Sequence, residues 1–251
     1  MNGHLYLPAG PGPHPAVVLL HGFPGNERSL DLAQALRRAG IGVLFFHYRG
    51  AWGSGGLFSW RNAADDVTAA LAFLRAPQAR ERYRVDGGRI VLAGHSTGAW
   101  LALWVAAHDA AVCGAVAMGL ENLGADGLCY RDDPDERERW LGYLEATVGE
   151  GRPIRAESPD ALLREQMEHA EAFDLVGVAP ALATRPVLMV GGSRDLELPP
   201  EEHQHPVADA LRAAGSRRVR SVVLRADHSF SGCRLRLVRL VVGWIGDECG
   251  F

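Results

Sequence analysis

The stretch that most constrains this chain runs Arg89-Ile-Val-Leu-Ala-Gly94-His95-Ser96-Thr97-Gly98-Ala-Trp-Leu-Ala-Leu103. An unbroken apolar run ends in a G-x-S-x-G turn, and a small-residue helical segment over 99–107 follows at once. A run that is apolar at every residue suits a strand covered on both faces, as in a parallel sheet flanked by helices. So sharp a turn from strand to helix holds a non-glycine residue in strained backbone, tolerable only if close neighbours lack side chains. Gly94 and Gly98 lie two residues either side of Ser96 and remove the side chains that would collide. A helix beginning at Thr97 aims its N-terminal dipole at negative charge developing beside Ser96.

The same cadence recurs along the 251 residues. Ala16–Leu20, Ile41–Phe46, Val112–Met118, Pro186–Val190 and Val219–Leu224 read as strands, with Gly3–Pro8 as a short edge strand. Between them, 26–39, 63–74, 201–214 and 235–245 carry apolar residues at helical spacing. Strand and helix in this alternation specify an α/β fold with a doubly wound, mostly parallel sheet and right-handed crossovers. The whole chain reads as a single domain.

From Leu120 to Thr184 the alternation stops and two helical patterns appear, Pro134–Val148 and Ser158–Ala170, the latter with Ser158 as N-cap. Residues 120–184 are expected to form a helical cap, or lid, inserted between the fourth and fifth recognisable core strands. Trp140, Leu144, Leu162 and Met167 are expected to face an apolar part of a ligand. The competing expectation is an extra helical layer packed elsewhere.

Composition removes several classes of function. Net charge is −4, so no basic footprint argues for nucleic acid. No 18-residue apolar run suggests a membrane span, and Met1-Asn2-Gly3-His4 shows no secretion signal, so a cytoplasmic protein is expected. The 26 basic residues are all arginine, which excludes Schiff-base lysines, Ser-Lys dyads and the P-loop lysine. Four scattered cysteines without a C-x-x-C read as free thiols, one disulfide remaining possible. No cofactor and no metal are expected: His203-x-His205 lacks a third ligand and reads as a solvated helix start. The acidic run Asp132–Glu136 lacks the glycine of a calcium loop.

Three loops at the C-terminal ends of strands carry Ser96, Asp195 and His228, at the sheet edge where ligands of open α/β folds bind. A serine hydroxyl needs a base to take its proton, and a neutral imidazole steadied by a carboxylate suits that task. The order Ser, Asp, His matches that of hydrolases with a nucleophile elbow.

On these segments the chain resembles the α/β-hydrolase fold serine hydrolases over nearly its whole length. His21–Gly25 resembles their oxyanion loop, Tyr48-Arg49-Gly50 the loop of the following strand, and Gly94–Gly98 their elbow. Gly192–Asp195 and Asp227–Phe230 resemble the acid and histidine turns. The segments look most like the prolyl-oligopeptidase-like and dienelactone-hydrolase-like esterases and peptidases. The antiparallel strands that usually open the fold are shortened here, no propeller is present, and serine stands where a dienelactone hydrolase has cysteine.

The resemblance implies Ser96 as nucleophile, His228 as general base, Asp195 as orienting acid, and an oxyanion hole from the backbone N–H groups of Phe23 and Thr97. It implies cleavage of a small-molecule carboxylic ester with an apolar portion through an acyl-enzyme. The alternatives are an aminopeptidase or oligopeptidase anchored by Glu121, Glu168 or Glu171, an acyltransferase, or a binding protein that keeps the fold. Glu121 is a secondary candidate for the acid, Asp227 is read as structural, His21 as a loop hydrogen-bonder, and His95 as a packing residue.

Overall fold

The computed structural model describes residues 1–251. The first strand, β1 (Gly3–Tyr6), is followed by β2 (His14–Leu20), α1 (Leu30–Arg38), β3 (Gly42–Phe46), α2 (Trp60–Arg75) and α3 (Pro77–Tyr83). Next come β4 (Val85–His95), α4 (Thr97–His108) and β5 (Gly114–Met118). Five helices then intervene: α5 (Leu123–Asp132), α6 (Pro134–Thr147), α7 (Pro159–Glu168), α8 (Ala170–Phe173) and α9 (Leu175–Leu182). The alternation resumes with β6 (Val187–Gly192), α10 (Gln204–Ala213), β7 (Val219–Leu224) and α11 (Arg234–Cys249).

The seven strands form one sheet in the order β1-β3-β2-β4-β5-β6-β7, with β1 antiparallel to β3 and every other pair parallel. Side chains of a strand alternate between faces, and here both faces are covered. Val18, Leu20, Ile90 and Leu92 join one apolar cluster, with α2, α4 and the five-helix segment. Val17, Leu19, Val91 and Ala93 join the other, with α1 and α11. That is why the Ala16–Leu20 part of β2 and the Ile90–Ala93 part of β4 are apolar without alternation. Helix α4 is buried on nearly all sides, which explains its apolar sequence.

The segment between β5 and β6 holds more helix than its sequence suggests. Helix α5 contains Gly124 and Gly127, residues that disfavour helix interiors. Both are close-approach positions: a Cβ on Gly124 would lie 2.1 Å from the Asp174 nitrogen, and one on Gly127 2.5 Å from the Gln166 oxygen. Tertiary contact therefore outweighs local propensity there. No helix is long and apolar enough to cross a membrane, and the four cysteines form no disulfide.

Candidate active site

Ser96 bridges β4 and α4 with φ 58° and ψ −127°, a conformation that residues with side chains adopt only under strong local constraint. Its N–H donates to the Met118 carbonyl at 2.9 Å, and its carbonyl accepts from Ala99 at 2.8 Å. The glycines leave no alternative. A Cβ on Gly94 would lie 1.9 Å from the Gly98 oxygen, and one on Gly98 2.4 Å from the Leu20 oxygen. Gly22 is a third such position, since its Cβ would lie 2.7 Å from that of Ser96. Ser96 is 9% exposed and lines a cavity together with His228.

His228 sits on the loop after β7, and its Nδ1–H donates to Asp195 Oδ2 at 2.7 Å. The second Asp195 oxygen accepts the N–H groups of Glu197 at 3.1 Å and Leu198 at 2.9 Å. Donation from Nδ1 leaves Nε2 of a neutral ring free to accept a proton. Burial pulls the His228 pKa down, but the Asp195 hydrogen bond and charge outweigh it and raise the value above 6.5. Burial pushes the Asp195 pKa up, and the His228 and backbone hydrogen bonds bring it below the usual carboxylate value. Both shifts favour the ion pair that forms when imidazole takes a proton.

His95 does more than pack. Its Nε2–H donates to the His228 carbonyl at 2.8 Å, with the rings 4.6 Å apart. Burial holds its pKa at about 4, so it stays neutral beside His228. Asp227 accepts the Ser231 N–H at 2.8 Å and shapes the turn.

The loop His21–Gly25 is tied down at three points. Tyr48 donates to the His21 carbonyl at 2.8 Å, and Trp52 Nε1 donates to the Pro24 carbonyl at 2.7 Å. His21 Nδ1–H donates to the Gly22 carbonyl at 2.7 Å, so its Nε2 accepts from His47 Nδ1–H at 3.2 Å. Burial drives the His21 pKa to about 3, which keeps the ring neutral. The Phe23 and Thr97 N–H groups take no part in the hydrogen bonds of the loops and caps.

From Ser96 a larger cavity of about 630 Å³ opens toward α5, α6 and the loop after β6. Of the four apolar residues expected to face a ligand, only Trp140 reaches this wall. Leu144 and Leu162 are fully buried in the core and Met167 packs against it, because the apolar stripe of an amphipathic helix turns inward. Residues flanking the stripe face the cavity instead: Tyr130, Tyr143 and Trp140, stacked in sequence with interplanar angles of 17°. Tyr130 belongs to the unforeseen helix α5, which hid its position.

The acidic residues sort clearly. Glu121 is buried at the cavity wall, where Thr97 Oγ1 donates to its Oε2, and it does not contact the His228 ring nitrogens. Glu168 and Glu171 are exposed, and Glu171 pairs with Arg131. Asp126 also lines the cavity, unforeseen for the same reason as Tyr130. The expectation of a solvated His203 fails: its side chain is buried, its Nδ1 accepts the Asn122 N–H at 3.2 Å, and burial lowers its pKa to about 4.

The helices of the insertion are bolted to the body. Glu165 of α7 accepts the N–H groups of Trp60 and Arg61 at 3.0 Å each, serving as a cap on α2 from another helix. Trp60, Trp100 and Trp104 each donate an indole N–H to a carbonyl of α7 or α8.

A sequence profile of the alpha/beta hydrolase family matches residues 17–239, and the chain belongs to that family. Two solved folds are similar over almost the whole chain. An Est1E structure from Butyrivibrio proteoclasticus, bound to ferulic acid, superposes with a TM-score of 0.69 at 16% identity, covering 100% of this chain and 96% of that one. The Pyrococcus furiosus esterase Pf2001 gives 0.66 at 16% identity, covering 94% and 84%. The uncharacterised protein Rv2307c of Mycobacterium tuberculosis is 37% identical over 107 residues, 41% of this chain and 36% of that protein.

Proposed function

We propose that this protein is a serine hydrolase that cleaves a small-molecule carboxylic ester through an acyl-enzyme at Ser96. The observation that carries the reading is the 2.7 Å bond from His228 to a buried Asp195, in a cavity lined by a serine held at φ 58°. His228 Nε2 takes the Ser96 proton as Oγ attacks the ester carbonyl, and the resulting imidazolium is stabilised by Asp195. The backbone N–H groups of Phe23 and Thr97 receive the oxyanion, and removing one such donor typically costs about 3 kcal/mol of barrier stabilisation. The imidazolium then protonates the leaving alkoxide. Water, deprotonated by the same imidazole, attacks the acyl-Ser96 carbonyl and frees the acid. Residues 120–184 act as a cap whose α5 and α6 wall the substrate cavity. The similarity to folds named as esterases supports ester over amide.

The second reading is cleavage of an amide by the same triad, favoured by the carboxylates of Glu121 and Asp126 in the cavity. A panel of p-nitrophenyl esters and aminoacyl anilides, run on wild type and Ser96→Ala, separates the two. Esters turned over and anilides ignored, with activity abolished by the substitution, is the expected result. Turnover surviving in Ser96→Ala would sink the mechanism.

A further inference from the structure

We propose, resting on the reading of Ser96 as nucleophile, that the cavity beside it takes a cationic group of the substrate, a guanidinium or ammonium. This group sits between the carboxylates of Glu121 and Asp126 and the Tyr130–Trp140–Tyr143 stack.

The charge balance of the wall comes first. Five carboxylates line the cavity, and the basic groups beside them are Arg139 and His203. Arg139 pairs with Glu136. His203 is neutral at physiological pH, since burial holds its pKa at about 4. Glu121, Asp126, Glu197 and Glu202 therefore have no cationic partner.

Glu121 is the unusual member. It is 6% exposed, yet only one of its oxygens is used, by Thr97 Oγ1, and Oε1 accepts no hydrogen bond from the protein. Thr97 is the neighbour of Ser96, so this free acceptor stands close to the reacting centre. The nearest basic atom to Asp126 is the neutral His203 Nδ1 at 3.9 Å, and its carboxylate likewise accepts no hydrogen bond. Burial raises the pKa of both acids. Carboxylates held this way are costly to the apo protein and become strong acceptors once a cation supplies the missing charge.

The aromatic wall is an independent indication of the same ligand. The Trp140 and Tyr143 rings lie 5.3 Å apart and Tyr130 and Trp140 6.1 Å apart, at 17° in each case. All three rings line the cavity beside Glu121 and Asp126, and an aromatic face attracts a desolvated cation. A neutral acyl or alkyl group would bury Glu121 and Asp126 further without pairing them, which disfavours it. The cation is carried on an apolar stem, in keeping with the expected apolar portion of the substrate.

Protection of Ser96 from a fluorophosphonate, by n-butylguanidine or by its neutral counterpart n-butylurea, isolates the charge. The guanidinium is expected to halve the labelling rate at a concentration about tenfold lower than the urea, as a charge-assisted hydrogen bond implies. Glu121→Gln and Asp126→Asn are each expected to shrink that ratio by about threefold or more. Two variants are used so that a folding defect in one leaves the other to decide. Equal protection by the two compounds in wild type, or a ratio unchanged in both variants, overturns the proposal while leaving Ser96 as nucleophile. A folded wild type that does not react with the fluorophosphonate overturns both.

Discussion

Ser96 and Trp140 face one cavity from walls built on different principles. The Ser96 wall is made by backbone: Gly22, Gly94 and Gly98 occupy places where any Cβ would overlap main-chain or Ser96 atoms. The α5–α6 wall presents side chains to the cavity; α5 is held from behind by the close approaches of Gly124 and Gly127, whereas Gly142 of α6 faces open space, with nothing within 4 Å of an added Cβ. The first wall can therefore hold one conformation and serve one kind of chemistry. The second meets the cavity through the side chains of Tyr130, Trp140 and Tyr143, and in the proposed reading it sets ligand preference.

Substitutions sharpen that contrast. The largest effect is expected at the reacting groups. Ser96→Ala reduces kcat roughly 10⁴- to 10⁶-fold, and Asp195→Asn roughly 10⁴-fold, with thermal unfolding little changed in the serine variant. Next, Gly98→Ala is expected to lose more than about 4 kcal/mol in urea unfolding, because the new methyl would sit against the Leu20 carbonyl. Gly142→Ala, in α6 where an added Cβ meets open space, gains about 0.5–1 kcal/mol in the same measurement. Equal costs at the two glycines would contradict the distinction between the Ser96 turn and helix α6.

Within α6 the split continues at smaller scale. Leu144→Ala removes a fully buried side chain and is expected to cost about 2–5 kcal/mol. Trp140→Phe forfeits one hydrogen bond, the 3.0 Å contact to Gln166, and is expected to cost about 1 kcal/mol while shifting KM.

The smallest effect is a displacement along the pH axis. In the proposed mechanism His228 must be neutral to accept the Ser96 proton, and its folded pKa is raised above 6.5. The acid limb of kcat/KM is therefore expected above pH 6.5 in wild type, moving to lower pH in the residual activity of Asp195→Asn. Stability runs the other way. A raised histidine pKa contributes stability that is complete below 6.5 and lost as pH rises through the folded pKa.

What was legible in the sequence follows the same division. The six parallel strands, the elbow and the three loops bearing Ser96, Asp195 and His228 were readable, because continuous apolar runs and collision-driven glycines leave little choice. The cavity wall was not. Helix α5 was obscured by Gly124 and Gly127, whose reason is contact with α7 and with Asp174, residues about 40–50 positions away in sequence. Tyr130 and Asp126 were lost with it. Helical periodicity alone places Leu144 and Leu162 equally well against a ligand or in the core, and the core holds them. His203 reads as solvated from the sequence because nothing local to it announces the Asn122 N–H that it accepts.

The most direct test of the central claim is to treat the folded protein with a fluorophosphonate and map the adduct by peptide mass spectrometry. One label on the peptide containing Ser96, formed more slowly in Asp195→Asn and absent in Ser96→Ala, is the result this account requires. An unlabelled protein, or an adduct on another residue that persists in Ser96→Ala, would contradict it.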